Sequence, residues 1–536
     1  MHLLTILAFA CLFWRAEEPL GWSIVPAGDR LYTLLIVLGQ PVVLGVASWR
    51  LGARARRLLA RQSDAPQLAQ LAYHRATLAL RWASLAGFAT GVFFTPWPDW
   101  FAFGRITPAL QLIGDLIVLS PFFAAAVAIW LGAYPVDRAM RLQGAAWITG
   151  AESRDDATWN LGRFLDFNIR HHLLIVAVPM TLILFAADLT RGYEDQVRSW
   201  SGSVWTADLL VGAVAAGVFV IAPWLLRRIW HTVPLEPGLV RDRLETIAGR
   251  IGLRFRDILV WHSDGMMINA AVMGIIPPVR YVLLSDGLLA TMSVDQIEAV
   301  FGHEAGHVRH RHIQHFLVFA FVGWLLVAGL MELLARLAIE HGAPETSWGW
   351  TIQTIGVAGT FVYWALGFGW LSRRFEREAD LFGARCVTPA EGDCVLPCSV
   401  HGEETDAALR RSDDTGRGLQ PARTFGSGRP DLSGSFQDDR VCATGAAIFA
   451  SALDRVALLN GIPQEERSWR HSSIGSRIRF LASLAGDPNR ARAFQRLVRR
   501  VRMAMLALAV LGCLVTVYYW RDVSQPVLLS LPVGAQ

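Results

Sequence analysis

The apolar residues of this chain are gathered into runs near 31–49, 106–133, 172–189, 204–226, 316–337, 352–371 and 502–519, with a shorter run near 82–96. A bilayer crossing takes about 20 apolar residues. Backbone in hydrocarbon must satisfy its own hydrogen bonds, so the eight runs are predicted to be membrane helices. The run at 82–96 reaches crossing length only if it starts near Thr77 and takes in Arg81. The chain opens MHLLTILAFACLFWRAEEPLGW, with no basic leader and no clear small-residue cleavage site. That stretch reads equally as a signal peptide, a short membrane segment or a re-entrant piece.

The polar stretches between the runs orient the set. Arginines crowd 50–75 and 134–171, and Arg227 and Arg228 open the long polar stretch that ends at His315. The loop at 338–351 holds Glu340 and Glu345 with no Lys or Arg, and Arg373 and Arg374 follow the next run. Basic and non-basic loops alternate, as the excess of Lys and Arg on the cytoplasmic side requires. Residues 50–75, 134–171, 229–315 and 372–501 are therefore expected on one, cytoplasmic, side. The catalytic candidates below fall there, and a bacterial inner (plasma) membrane is the expected setting.

The expected layout is an N-terminal multi-helix membrane region (1–228) and a core with a membrane hairpin (229–398, hairpin 316–371). A disordered polar insertion (399–440) follows, then the rest of the core (441–501), a final membrane helix (502–519) and a tail (520–536). The insertion is rich in Gly, Ser, Asp and Arg and has no apolar periodicity. No internal repeat is visible.

Composition agrees with the run pattern. Of 536 residues, 53% are hydrophobic and only 18% charged, less charge than a soluble chain of this length usually carries. The net charge of +5 comes with arginines beside apolar runs, which is interfacial and gives no reason to expect nucleic acid. Six cysteines are too few for a disulfide scaffold. Cys386, Cys394, Cys398 and Cys442 lie in polar sequence, but their spacing fits no zinc motif.

One stretch carries chemistry. GHEAGHVRHRHIQHF, residues 302–316, holds five histidines. Ser293 and Gln296 form a capping-box pattern, and Ile297, Val300 and Phe301 recur with helical spacing, so a helix is predicted from Ser293 through His307. Positions i and i+4 share a helix face. His303 and His307 can then hold one metal ion, while Glu304, one position round, can reach a water at that ion. The plainer reading is a polar helix face at the membrane surface. His310, His312 and His315, with Arg309 and Arg311, read as the point where the helix meets the membrane.

A catalytic zinc usually has three protein ligands and one open position. His310 is one candidate for the third. Glu376, in SRRFEREAD, is the favoured one, because the hairpin leaves at 316 and returns at 371 and brings both ends to the same face. Asp380, four residues on, could orient a ligating histidine through its other ring nitrogen. The alternative for this stretch is an interfacial helix start laced with ion pairs. Upstream, 266–276 and 280–285 read as two strands with a turn at Pro277 and Pro278, and an edge strand there could hold a peptide substrate. Late in the chain, His471 and Arg477 are candidate donors to a developing oxyanion. Otherwise they are a surface histidine and a basic first helical turn.

These residues resemble the membrane-bound zinc metallopeptidases, the group of the bacterial heat-shock membrane protease and the eukaryotic CaaX prenyl endopeptidase. HEAGH resembles the family's HExxH, and SRRFEREAD its SRxxExxAD, which implies Glu376 rather than His310 as third ligand and places Asp380 on the motif's aspartate. The family's NAxxxG, on a substrate-facing strand, matches Asn269, Ala270 and Gly274. The family's late histidine and arginine match His471 and Arg477, with Ser472 where proline is usual. The resemblance covers about 250–385 and 465–485. The eight crossings exceed the four usual in the heat-shock branch.

The expected fold is a polytopic α-helical membrane protein with a mainly helical, gluzincin-like metallopeptidase domain carrying a small β-sheet. The expected cofactor is one Zn2+ per chain. The expected activity is that of a zinc metalloendopeptidase acting on membrane proteins or peptides at the bilayer, for example in quality control. Alternatives are a processing protease for one lipidated or signal-like substrate, and a transporter or scaffold with a vestigial metal site, for which Asp115 in the 106–133 run speaks.

Overall fold

The computed structural model describes residues 1–17, 25–26, 29–61, 66–149, 160–203, 206–263, 265, 267–342, 345–388, 441–460, 462–466, 470–485 and 487–522. The insertion at 399–440 and the cysteines Cys394 and Cys398 lie outside the described residues. Two compact units emerge, Met1–Trp230 and His231–Ala535.

Among the described residues, eight helices are long and apolar enough to cross a bilayer. All eight coincide with the apolar runs. The uncertain one is Tyr73–Phe94, which starts upstream of Thr77 and takes in Arg81, as its length demanded. The protein is a mostly helical polytopic membrane protein with a small mixed β-sheet and a His/His/Glu cluster typical of gluzincin folds.

In the first unit the helix His2–Glu17 buries Leu4, Ala8, Phe9 and Leu12 against Phe88, Leu119 and Phe122. Three polar side chains inside this bundle illustrate the pairing that a low-dielectric interior favours. Gln40 donates to the carbonyl of Ser84 at 2.6 Å and Ser48 to that of Ile129 at 2.8 Å. Asp115 is buried and accepts from Gln111 at 2.6 Å.

The second unit is built around a four-stranded sheet of order β1-β2-β4-β3. Its strands are β1 (Thr232–Pro234), β2 (Asp257–Trp261), β3 (Ala270–Met273) and β4 (Tyr281–Ser285). β2 and β4 run parallel, and the other neighbours are antiparallel. β4 is buried along its whole length, which suits its unbroken apolar run YVLLS. β3 is an edge. Between β3 and β4 the chain turns at Gly274 (φ +107°) and a 3-10 turn at Pro277–Val279. A side chain on Gly274 would both strain that φ and strike the carbonyl oxygen of Val279 at 2.5 Å.

Over the sheet lies the metal helix, Val294–Arg309. It opens on the expected capping box, with Ser293 and Gln296 satisfying each other's backbone. Helix Leu239–Ile251 packs against it and is tied to it by Arg243, which pairs with Asp295 at 3.1 Å and with the buried Glu298. The core joins Leu244, Ile258, Leu284, Phe301, Phe382 and Phe449. After a two-residue link that includes Arg311 at φ +54°, the hairpin leaves as His312–Glu340 and returns as Glu345–Val362. A six-residue π-helical segment, Tyr363–Phe368, then feeds the third-ligand helix, Gly369–Cys386. The hydroxyl of Tyr363 donates to the carbonyl of Phe319 at 2.8 Å and locks the two arms together.

Candidate metal centre

Two local facts build the site. The capped metal helix puts His303 and His307 one turn apart on one face. The hairpin returns the chain so that the third-ligand helix crosses that face at close range. The crossing depends on small residues, because a Cβ on Gly302 would sit 2.8 Å from Cβ of Cys386 and one on Gly306 would sit 3.2 Å from Cα of Ala379. With nothing larger between the helices, Glu376 reaches the histidines.

The Nε2 atoms of His303 and His307 are 3.2 Å apart. Glu376 straddles them, with Oε2 3.6 Å from His303 Nε2 and Oε1 3.8 Å from His307 Nε2. One ligand atom from each residue falls within a 4.8 Å group, the one such cluster found among the described residues. Tetrahedral donors held about 2.0–2.2 Å from a zinc ion stand roughly 3.3 Å apart. Two imidazoles and a carboxylate at these separations are consistent with a single Zn2+ site per chain. His310 lies elsewhere, with Nδ1 3.6 Å from Glu378.

Glu304 faces the edge strand. The backbone N–H of Val272 donates to its carboxylate, and burial, only partly offset by His303, pushes its pKa up to about 7. His303 is raised above the ordinary imidazole value. Burial opposes its charge, but Asp380 and Glu376 outweigh burial. His307 is held well below that value by burial and by the neighbouring His303 and His312.

Behind His303 stands Asp380, fully buried, with Oδ1 2.9 Å from Nδ1 of His303. Arg477 donates from Nε to Oδ2 of Asp380 at 2.8 Å and from a terminal nitrogen to Oδ1. Burial disfavours the charge on Arg477, yet Asp380 and Glu376 keep its pKa above the ordinary arginine value. Sequence reasoning pointed Arg477 at an oxyanion. The structure turns two of its donors to Asp380, with a terminal nitrogen 3.8 Å from Glu376 Oε2. His471 is half-exposed, with Nδ1 3.1 Å from Glu376 Oε1.

Of the substrate-strand residues, Ala270 lies on β3, Asn269 just before it and Gly274 just after. The side-chain oxygen of Asn269 accepts from the N–H of Ala270 at 3.0 Å. His312 opens the candidate membrane span His312–Glu340, as expected of the point where the helix meets the membrane, and it is also 1% exposed and turned toward His307. The cause is Phe375, against which its ring stacks at 4.3 Å. That residue belongs to the returning helix, so nothing local to 302–316 signalled the contact. Cys386 and Cys442 are both buried.

Residues 234–402 match the family model described as Peptidase family M48. A Protease HtpX homolog of Aeropyrum pernix is 28% identical over 127 residues, 23% of this chain and 39% of the relative. CAAX prenyl protease 1 of Saccharomyces cerevisiae is 31% identical over 107 residues, 19% of this chain and 23% of the relative. Protease HtpX of Escherichia coli is 27% identical over 187 residues, 31% of this chain and 62% of the relative. The chain thus spans between about a quarter and three-fifths of the length of these curated relatives. The solved structure of S. mikatae Ste24p superposes with a TM-score of 0.45 at 13% identity, over 84% of this chain and 98% of that one. Through its metal-site region the chain is related to the M48 peptidases, to HtpX proteases and CAAX prenyl protease among them.

Proposed function

We propose that this protein is a zinc-dependent membrane endopeptidase, cutting membrane-associated proteins or peptides at the cytoplasmic face of a bacterial inner membrane, in the manner of quality control. The observation that carries the reading is the meeting of His303, His307 and Glu376 beside Glu304 and the edge strand. His303, His307 and Glu376 hold the metal. A zinc ion there supplies Lewis acidity, making water more acidic and polarising an acyl oxygen.

The chain's own residues do the rest. β3, whose Val272 N–H meets Glu304, offers the rest of its outer edge to an extended peptide, which fixes the acyl carbon without reading much side-chain sequence. Glu304, next to β3, takes the proton from the attacking water and returns it to the departing amine. A carboxylate in reach of that water can accept its proton and pass it on. His471, half-exposed beside Glu376, donates to the negative charge growing on the acyl oxygen. Arg477 acts through Asp380, holding the carboxylate that orients His303. Asn269 and Gly274 shape the two ends of the docking strand.

The test is cleavage of a generic quenched peptide by the full chain in detergent micelles. The account expects activity that a chelator removes and added zinc restores. Activity that survives complete zinc removal would overturn it.

A further inference from the structure

The two metal-holding histidines are supported differently. His303 rests directly on a carboxylate–arginine pair, Asp380 and Arg477. His307 reaches one through another ring. Its Nδ1 lies 2.8 Å from Nδ1 of His312, and Nε2 of His312 lies 2.9 Å from Oε2 of Glu378. Arg502 donates to that same oxygen.

The chemistry of imidazole orders this row. A histidine that holds a metal through Nε2 carries its proton on Nδ1. His307 is then the donor at Nδ1, so His312 accepts there and carries its own proton on Nε2. That proton points at Glu378, whose charge Arg502 balances. Every polar atom of the His312 ring is engaged, and the ring is held flat against Phe375, with an interplanar angle of 3°. A buried imidazole with both nitrogens committed and one face stacked has a single orientation open to it. Of the charged pair at the end of the row, the Glu378 side chain is buried at 6% exposed and that of Arg502 is half-buried at 17%.

We propose that His312 is a positioning residue of the metal centre, holding His307 in its metal-binding tautomer and orientation, and itself fixed by Glu378 and Arg502. The inference rests on the zinc reading of the site. It explains why a histidine just past the metal helix is buried in a region that otherwise leads into a membrane span. It also anchors the two ligands to separate elements. Arg477 belongs to the helix Ile474–Ala485 and Arg502 to the final helix, Pro488–Asp522, just before that helix turns apolar.

The experiment measures zinc affinity by competition with a chromophoric chelator, and the visible spectrum of the cobalt-substituted protein, using the full chain in detergent micelles. His312→Leu removes the acceptor while keeping an apolar ring-sized filler. It is expected to weaken zinc by roughly 10–100-fold and to alter the cobalt spectrum. His312→Gln, whose amide can accept from one side and donate to the other, is expected to recover part of that loss. Glu378→Gln is expected to weaken zinc in the same direction by less. A folded His312→Leu protein with parental affinity and spectrum would overturn the proposal. If His312→Leu does not fold, unchanged values in Glu378→Gln overturn it. A parent that binds no zinc overturns the zinc reading and the relay together. A parent that binds zinc but cleaves nothing removes only the peptidase reading, and the affinity comparison still decides the role of His312.

Discussion

Asp380 lies 2.9 Å from Nδ1 of His303 and is itself fully buried, clamped by Arg477 from the far side. An arginine 97 positions away in sequence from Asp380 thereby fixes the carboxylate that stands beside a metal ligand. Asp380→Asn keeps the shape and removes the charge. Arg477 is then buried beside a neutral amide, and removing one partner of a buried pair costs about 3–5 kcal/mol. We expect a lower melting temperature together with zinc affinity reduced by roughly 10–100-fold. A calorimetric melt and a chelator competition read the two effects separately. Loss of stability with unchanged zinc affinity would leave Asp380 structural only.

The crossing of the two metal-bearing helices is predicted to depend on Gly302. Its hydrogen faces Cys386, where a Cβ would come within 2.8 Å of the cysteine Cβ. Gly302→Val must push the third-ligand helix away, and overpacking of this kind costs about 1–3 kcal/mol. Because Glu376 rides on that helix, zinc affinity should fall with stability. Parental zinc affinity in a folded Gly302→Val protein would mean that the helix spacing does not position the ligand.

Glu304 makes a signed prediction for the metal-free protein. Burial holds its pKa near 7, above the roughly 4.3 of an unfolded glutamate. Between those values the folded state binds the extra proton, so its contribution to stability is complete below the lower value and is lost as pH rises through the upper one. The metal-free protein should therefore lose stability from about pH 4.5 to 7. Glu304→Gln should remove that part of the slope, and melts across this range check it. An identical slope in both proteins would contradict the burial argument.

Much of this was legible because it was local. The HExxH spacing placed His303 and His307 on one face, Ser293 and Gln296 announced the start of that helix, and unbroken apolar runs marked the eight spans. Glu376 was legible for a different reason: a hairpin of two crossings has to bring its ends back to one surface. What stayed hidden needed partners distant in sequence. The clamp of Arg477 on Asp380 forms only after the helix Ile474–Ala485 docks. β2 pairs in parallel with β4, and its short run DILVW shows no alternation of polar and apolar positions. The burial of His312 was hidden because its neighbours Arg309 and Arg311 are polar and exposed, while the stacking partner that buries it arrives 63 residues later, at Phe375.

The central claim separates most cleanly at Glu304, which lies beside the metal ligands without being one of them. The measurement is zinc content and peptide cleavage on the same preparations of the parent and Glu304→Gln. The account predicts one zinc per chain in both proteins, with cleavage in the parent and at least a hundredfold less in the variant, about the lower bound for losing a general base. Equal cleavage by the two proteins would contradict it.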